Sequence, residues 1–202
     1  MNGRTYRSVL SYHLGIPLFP LSRPCSACSR VFHGDVFDDH AVSCSGTVGV
    51  KHRYNLVRDT LLDICFRSAI SVAKEVDVGL IDAHDKPLRP ADLLLYSRGW
   101  DVCVDLTGSS PLTQSAMADY APGRVVVDAA RRKYAKYQNL CEERVYGFLP
   151  FSFSSLGKLE TGAVALLKRI QKILVSQDAV RRAAAHIFSR IGFVIAKGVE
   201  PR

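Results

Sequence analysis

The sequence predicts an α/β fold of restriction-endonuclease-like order, helix, three-stranded meander, helix, strand, and three observations carry that expectation. Small or apolar residues at Val57, Leu61, Ile64, Cys65, Ser68, Ala69 and Val72 recur with helical period, which predicts an amphipathic helix over 52–74. Three short β-rich runs follow in series, EVDVGLI (75–81), ADLLLY (91–96) and DVCVDLTG (101–108), separated by DAHDKP and SRGW turn material. A second helix over 125–144, with Val126, Ala130, Tyr134, Tyr137 and Cys141 on one face, leads into a strand over 146–154. A meander cannot bury both of its faces by itself, so the two helices are expected to supply the cover.

Around this core (50–157) the chain divides into two further sections. Residues 1–49 are rich in Pro, Gly, Ser and Cys and hold one short helical pattern, Tyr6, Val9, Leu10, His13 and Leu14, that Gly15 and Pro17 stop. Residues 158–202 read as a C-terminal helical extension, with amphipathic stretches at 158–176 and 178–197. With 48% hydrophobic and 23% charged residues among 202, the composition excludes a mostly disordered or collagenous chain. The net charge of +8 favours a polyanionic partner, nucleic acid first. No apolar run approaches the length that spans a bilayer, and MNGRTYRSVL lacks the apolar region of a secretory signal, so the expectation is a soluble intracellular protein with no membrane partner.

Three constellations carry chemistry. Cys25-x2-Cys28-x11-His40-x3-Cys44 has the spacing of a structural Zn²⁺ site, because a CxxC turn presents two thiolates to one ion and a later His-x3-Cys completes the tetrahedron. His33 is a rival third ligand. The other cysteines, Cys65, Cys103 and Cys141, lie inside apolar patterns and read as buried thiols. Second, Asp92 and Asp105 interrupt β-runs that otherwise hold apolar residues, and on neighbouring strands they would approach each other. Paired carboxylates repel unless a cation joins them, and hard oxygen ligands suit Mg²⁺ or Mn²⁺. Glu75 projects onto the face of Leu61, Ile64, Ser68 and Val72 if the first helix runs that far. Third, Lys133 projects inside the apolar arc of the second helix, among Ala130, Tyr137 and Leu140, while Arg131 and Arg132 project outside it. Such a lysine either balances charge in a phosphoryl transition state or snorkels its stem over the two tyrosines.

The string LRPADLLLYSRGWDVCVDLTGSSP, preceded by Glu75 and followed by ARRKYAKY, resembles the PD-(D/E)xK nuclease pattern. With the Cys-Cys-His-Cys cluster and KHRYNLVRD it is similar to the zinc knuckle plus restriction-like endonuclease of site-specific non-LTR retrotransposons and their plant relatives, over about Cys25 to Phe153. The resemblance implies Asp92 as the first metal-binding Asp, Asp105 as the second acid and Glu75 as the helix-end acid. Thr107 stands where the family pattern has Lys, so the lysine role passes to Lys133 or is lost. It further implies a Mg²⁺- or Mn²⁺-dependent DNA endonuclease of nuclear location, with His52, Asn55, Arg89, Arg131 and Arg132 at the phosphate backbone; ordinary helix capping also suits Asn55. Two alternatives stand beside it: a catalytically inactive nucleic-acid-binding module of the same fold, and a zinc-stapled interaction domain that docks a partner on the Leu166, Leu167, Ile170, Ile173 and Leu174 stripe.

Overall fold

The structure is a computed structural model and describes residues 3–16, 48–81, 84–96, 101–111, 121–176 and 186–198. Cys25, Cys28, His33, His40 and Cys44 lie outside the described residues. Among those described there are five helices, α1 (Gly3–His13), α2 (Val48–Arg67), α3 (Arg124–Glu143), α4 (Thr161–Ser176) and α5 (Ile187–Lys197). The strands are β1 (Ser71–Val76), β2 (Leu80–Ile81), β3 (Pro87–Leu88), β4 (Ala91–Tyr96), β5 (Val102–Ser109) and β6 (Gly147–Ser154).

The expected meander is present, with one correction at its start. Helix α2 stops at Arg67, seven residues short of the predicted end. There the Ser68 hydroxyl donates back to the Ile64 carbonyl (2.6 Å), and the Ile70 and Ala69 N–H groups donate to the Cys65 and Phe66 carbonyls (3.0 and 3.1 Å). This double bond pattern is a Schellman stop, with Ala69 in the left-handed region at φ 52° where glycine is usual. With no glycine to mark the stop, the helical period reads on through residues that in fact form β1. Glu75 is therefore a strand residue, not a helix-end acid. The second half of EVDVGLI belongs to a separate small hairpin, in which β2 pairs with β3 and buries Leu80 and Leu88.

The main sheet runs β1-β4-β5-β6. Strands β1, β4 and β5 are antiparallel neighbours, and β6 adds parallel to β5 after the chain crosses over through α3. Pro150 is accommodated because β6 is an edge strand. Strands β4 and β5 are covered on both faces, which explains their nearly continuous apolar runs. On one face Leu93, Leu95, Val104, Leu106, Phe151 and Phe153 pack with α2, α4 and α5. On the other, Leu94 and Cys103 pack with Tyr137 and Cys141 of α3 and with the β2–β3 hairpin. The C-terminal stripe is part of this core: Leu166, Leu167, Ile170 and Leu174 are buried against the sheet. Helix α5 is tied to α2 by Arg190 and Asp63 (2.5 Å), and α1 docks through Tyr12, whose hydroxyl meets Ser155 Oγ at 2.7 Å. Among the described residues, no helix is long and apolar enough to cross a membrane.

Replacing Ala69 by glycine relieves a left-handed backbone that costs an L-residue roughly 1–2 kcal/mol, partly offset by the greater freedom of glycine in the unfolded chain. The expected gain is about 0.5–1 kcal/mol in urea denaturation; an unchanged or lowered midpoint would contradict the Schellman reading.

Candidate functional site

The last paired residues of β4 and β5 are Leu93 and Val104. One step further Asp92 and Asp105 face each other across the two strands. Here the ladder gives way: Asp92 Oδ2 accepts the Leu106 N–H at 2.6 Å, a side chain standing where a main-chain acceptor ordinarily would. Asp105 is 3% exposed.

Helix α3 brings Lys133 to this point. Ala129 and Ala130 are small and buried, so the helix lies close to the sheet, while Tyr137 and Cys141 anchor its second half. Tyr137 packs at 5.7 Å from the Phe148 ring. Lys133 sits between these two contacts, passes the Tyr137 ring with its amine 5.4 Å from the centroid, and donates to Asp105 Oδ1 at 3.2 Å. Its amine is also 2.8 Å from Oδ2, so one ammonium lies against both oxygens of this buried carboxylate. Burial pushes the Asp105 carboxyl up to about 7; Lys133 opposes that rise and the Asp92 charge adds to it.

Tyr54 and Arg58 of α2 complete the surroundings. Burial and the neighbouring Asp92 carboxylate raise the Tyr54 phenol well above its ordinary range, so it remains a protonated donor beside Asp92. The Arg58 guanidinium lies 5.6 Å from the centroid of the Tyr54 ring and pairs with Glu75 and with Asp59 (3.0 Å). Neither residue was legible as part of the site. The available signal was their i, i+4 spacing beside Val57 and Leu61, which places a cation at the edge of an apolar face.

The structure thus brings together Asp92, Asp105 and Lys133. Glu75 lies across β1 from Asp92, between the pairs Lys74–Leu93 and Val76–Ala91, but its carboxylate is held by Arg58. His52 and Asn55 are half-buried on the first turns of α2, and Arg89 is exposed just before Pro90. Arg131 and Arg132 stay on the solvent side of α3, Arg131 against Asp128 at 3.3 Å. The three single cysteines are buried thiols as expected. Cys103 and Cys141 interact across β5 and α3, and this contact together with burial raises the Cys103 thiol.

Among the described residues no set of three or more His, Cys, Asp and Glu side chains converges on one point. Two carboxylates nevertheless fit Mg²⁺ or Mn²⁺, which bind through one or two carboxylates and keep several waters. The sequence matches no protein-family model, and no curated protein matches it.

In metal-free buffer, folded Asp105 keeps its proton to about pH 7, whereas the unfolded carboxyl releases it near its ordinary value of 3.8. The folded state holds the extra proton in that window, so stability falls as pH rises from about 4 to 7 and stays at the lower level above. Asp63 acts in the opposite sense, since Arg190 and Arg67 hold it below its ordinary value, and its contribution is lost only at more acid pH. Asp105→Asn is expected to flatten the decline between pH 4.5 and 7 in a series of denaturant midpoints; a parallel decline in the variant would remove Asp105 as its source.

Proposed function

We propose that this chain is a divalent-cation-dependent endonuclease that hydrolyses phosphodiester bonds of DNA, a nicking domain descended from a mobile element and acting in the nucleus. The observation that carries the reading is the meeting of Asp92, Asp105 and Lys133 from two strands and the crossover helix, with the Lys133 amine 2.8 and 3.2 Å from the two oxygens of the buried Asp105. Mg²⁺ or Mn²⁺ held by Asp92 and Asp105 would polarise the scissile phosphate and acidify a bound water. The chain's own residues supply the remainder. The Leu106 N–H fixes the Asp92 carboxylate in place, so its orientation is settled before substrate arrives. Lys133 carries its charge to the same point from α3, in place of the lysine that Thr107 lacks, where it offsets negative charge gathering on the phosphate. Arg89, Arg131, Arg132, His52 and Asn55 hold the DNA backbone, in keeping with the +8 charge.

A second reading, a DNA-binding module with a dead site, is favoured by one observation: Lys133 sits on Asp105 as its ion-pair partner at 2.8 Å, where a cation would otherwise lie. The interaction-domain reading loses its docking stripe, because Leu166, Leu167, Ile170 and Leu174 are inside the core.

Purified protein is expected to nick supercoiled plasmid with Mg²⁺ or Mn²⁺ and not with EDTA. Asp92→Ala and Asp105→Ala should each cost on the order of 10²–10³-fold in rate. Lys133→Ala should cost far more rate than Lys136→Ala while DNA affinity stays within about twofold, because a transition-state contact acts on the chemical step rather than on binding. Salt-sensitive DNA binding without nicking would favour the dead-site reading instead.

The Zn²⁺ site proposed at Cys25, Cys28, His40 and Cys44 predicts one zinc per chain by elemental analysis, reduced in Cys28→Ser. Protein without zinc would refute that site and leave the nuclease reading standing.

A further inference from the structure

Glu75 stands in the same row as the two aspartates and is withheld from them. The β1–β4 register places it opposite Asp92, which in turn faces Asp105 across β4 and β5. Three carboxylates in line across adjacent strands would serve a second divalent ion if Glu75 turned toward the aspartates, but as the side chains stand the three do not converge on one point.

Here the third carboxylate already has a cation. The Arg58 side chain is only 6% exposed, and its guanidinium pairs with Glu75 on one side and with Asp59 on the other. Asp59 is itself held by Lys74 at 3.1 Å. The Tyr54 ring packs on the same guanidinium, while the Tyr54 hydroxyl lies against Asp92, so one side chain joins the arginine to the acid pair. A guanidinium does not lose its proton in a protein, which makes this charge permanent. The backbone agrees: Glu75 is in the left-handed region at φ 53°, a conformation costly for a residue with a side chain, and its pairing with Arg58 helps hold it there.

We propose that Arg58 stands in for a second divalent cation: it neutralises Glu75, restricts the exchangeable ion to Asp92 and Asp105, and makes this a one-cation site. This inference rests on the cation site proposed above.

The test counts Mn²⁺ bound to the full chain by calorimetry and electron paramagnetic resonance, scoring only ions that the Asp105→Asn variant fails to bind. One ion is expected in the wild type, two in Arg58→Gln, and one again in Arg58→Gln/Glu75→Gln. Glu75→Gln alone should leave Mn²⁺ affinity within about twofold, since Glu75 holds no ion while Arg58 is present, and this arm decides the matter if Arg58→Gln does not fold. Two ions in the wild type, one in folded Arg58→Gln, or a tenfold weakening in Glu75→Gln would each overturn the proposal. If the wild type binds no more Mn²⁺ than Asp105→Asn, the Asp92–Asp105 site itself fails, and the role of Arg58 falls with it.

Discussion

Asp105 lies on a strand paired on both sides and covered on both faces, and whatever charge its carboxylate carries there depends on Lys133. Removing one member of a buried ion pair typically costs about 3–5 kcal/mol, because the other is left without compensation. That dependence fixes much else. Helix α3 must lie close to the sheet at Ala129 and Ala130, must turn Lys133 inward one turn later, and must be braced beyond it by Tyr137 and Cys141. The parallel addition of β6 returns the chain to the sheet once α3 has crossed it.

Charge across the sheet falls into two linked groups. Lys74, Asp59, Arg58 and Glu75 form one linked run on the α2 and β1 side, and Asp92, Asp105 and Lys133 form another on the β4, β5 and α3 side. Tyr54 joins the two through its ring face and its hydroxyl. The first is largely exposed apart from Arg58, so solvent shares in its balance, whereas the second sets two acids side by side against one lysine with Asp105 buried.

Much of this was legible in the sequence, for reasons that differ by element. Asp92 and Asp105 stood out because each breaks an apolar strand pattern, and Lys133 because it falls inside the buried arc of a strongly patterned helix. The order of helices and strands followed from periodicity. The end of α2 was not legible: a Schellman stop built on Ala69 carries no glycine, and Ser68 ends the helix by a bond to its own turn. That single error put 68–74 on the helix, and with them the projection that turned Glu75 onto the helix face; β1 holds Glu75 as a strand residue. Arg58 and Tyr54 were hidden because a residue's partners across a sheet are set by tertiary packing, which no local period encodes.

The site is assembled from contacts of unequal reach along the chain. Asp92 meets the Leu106 amide across 14 residues, whereas Lys133 meets Asp105 across 28. Doubling a loop adds about 0.6 kcal/mol of closure entropy, and the longer loop also requires α3 to be formed and laid down on the sheet. The hairpin that juxtaposes the two acids therefore closes at the smaller loss of chain entropy, and the lysine's contact with Asp105 depends on a whole helix being in place.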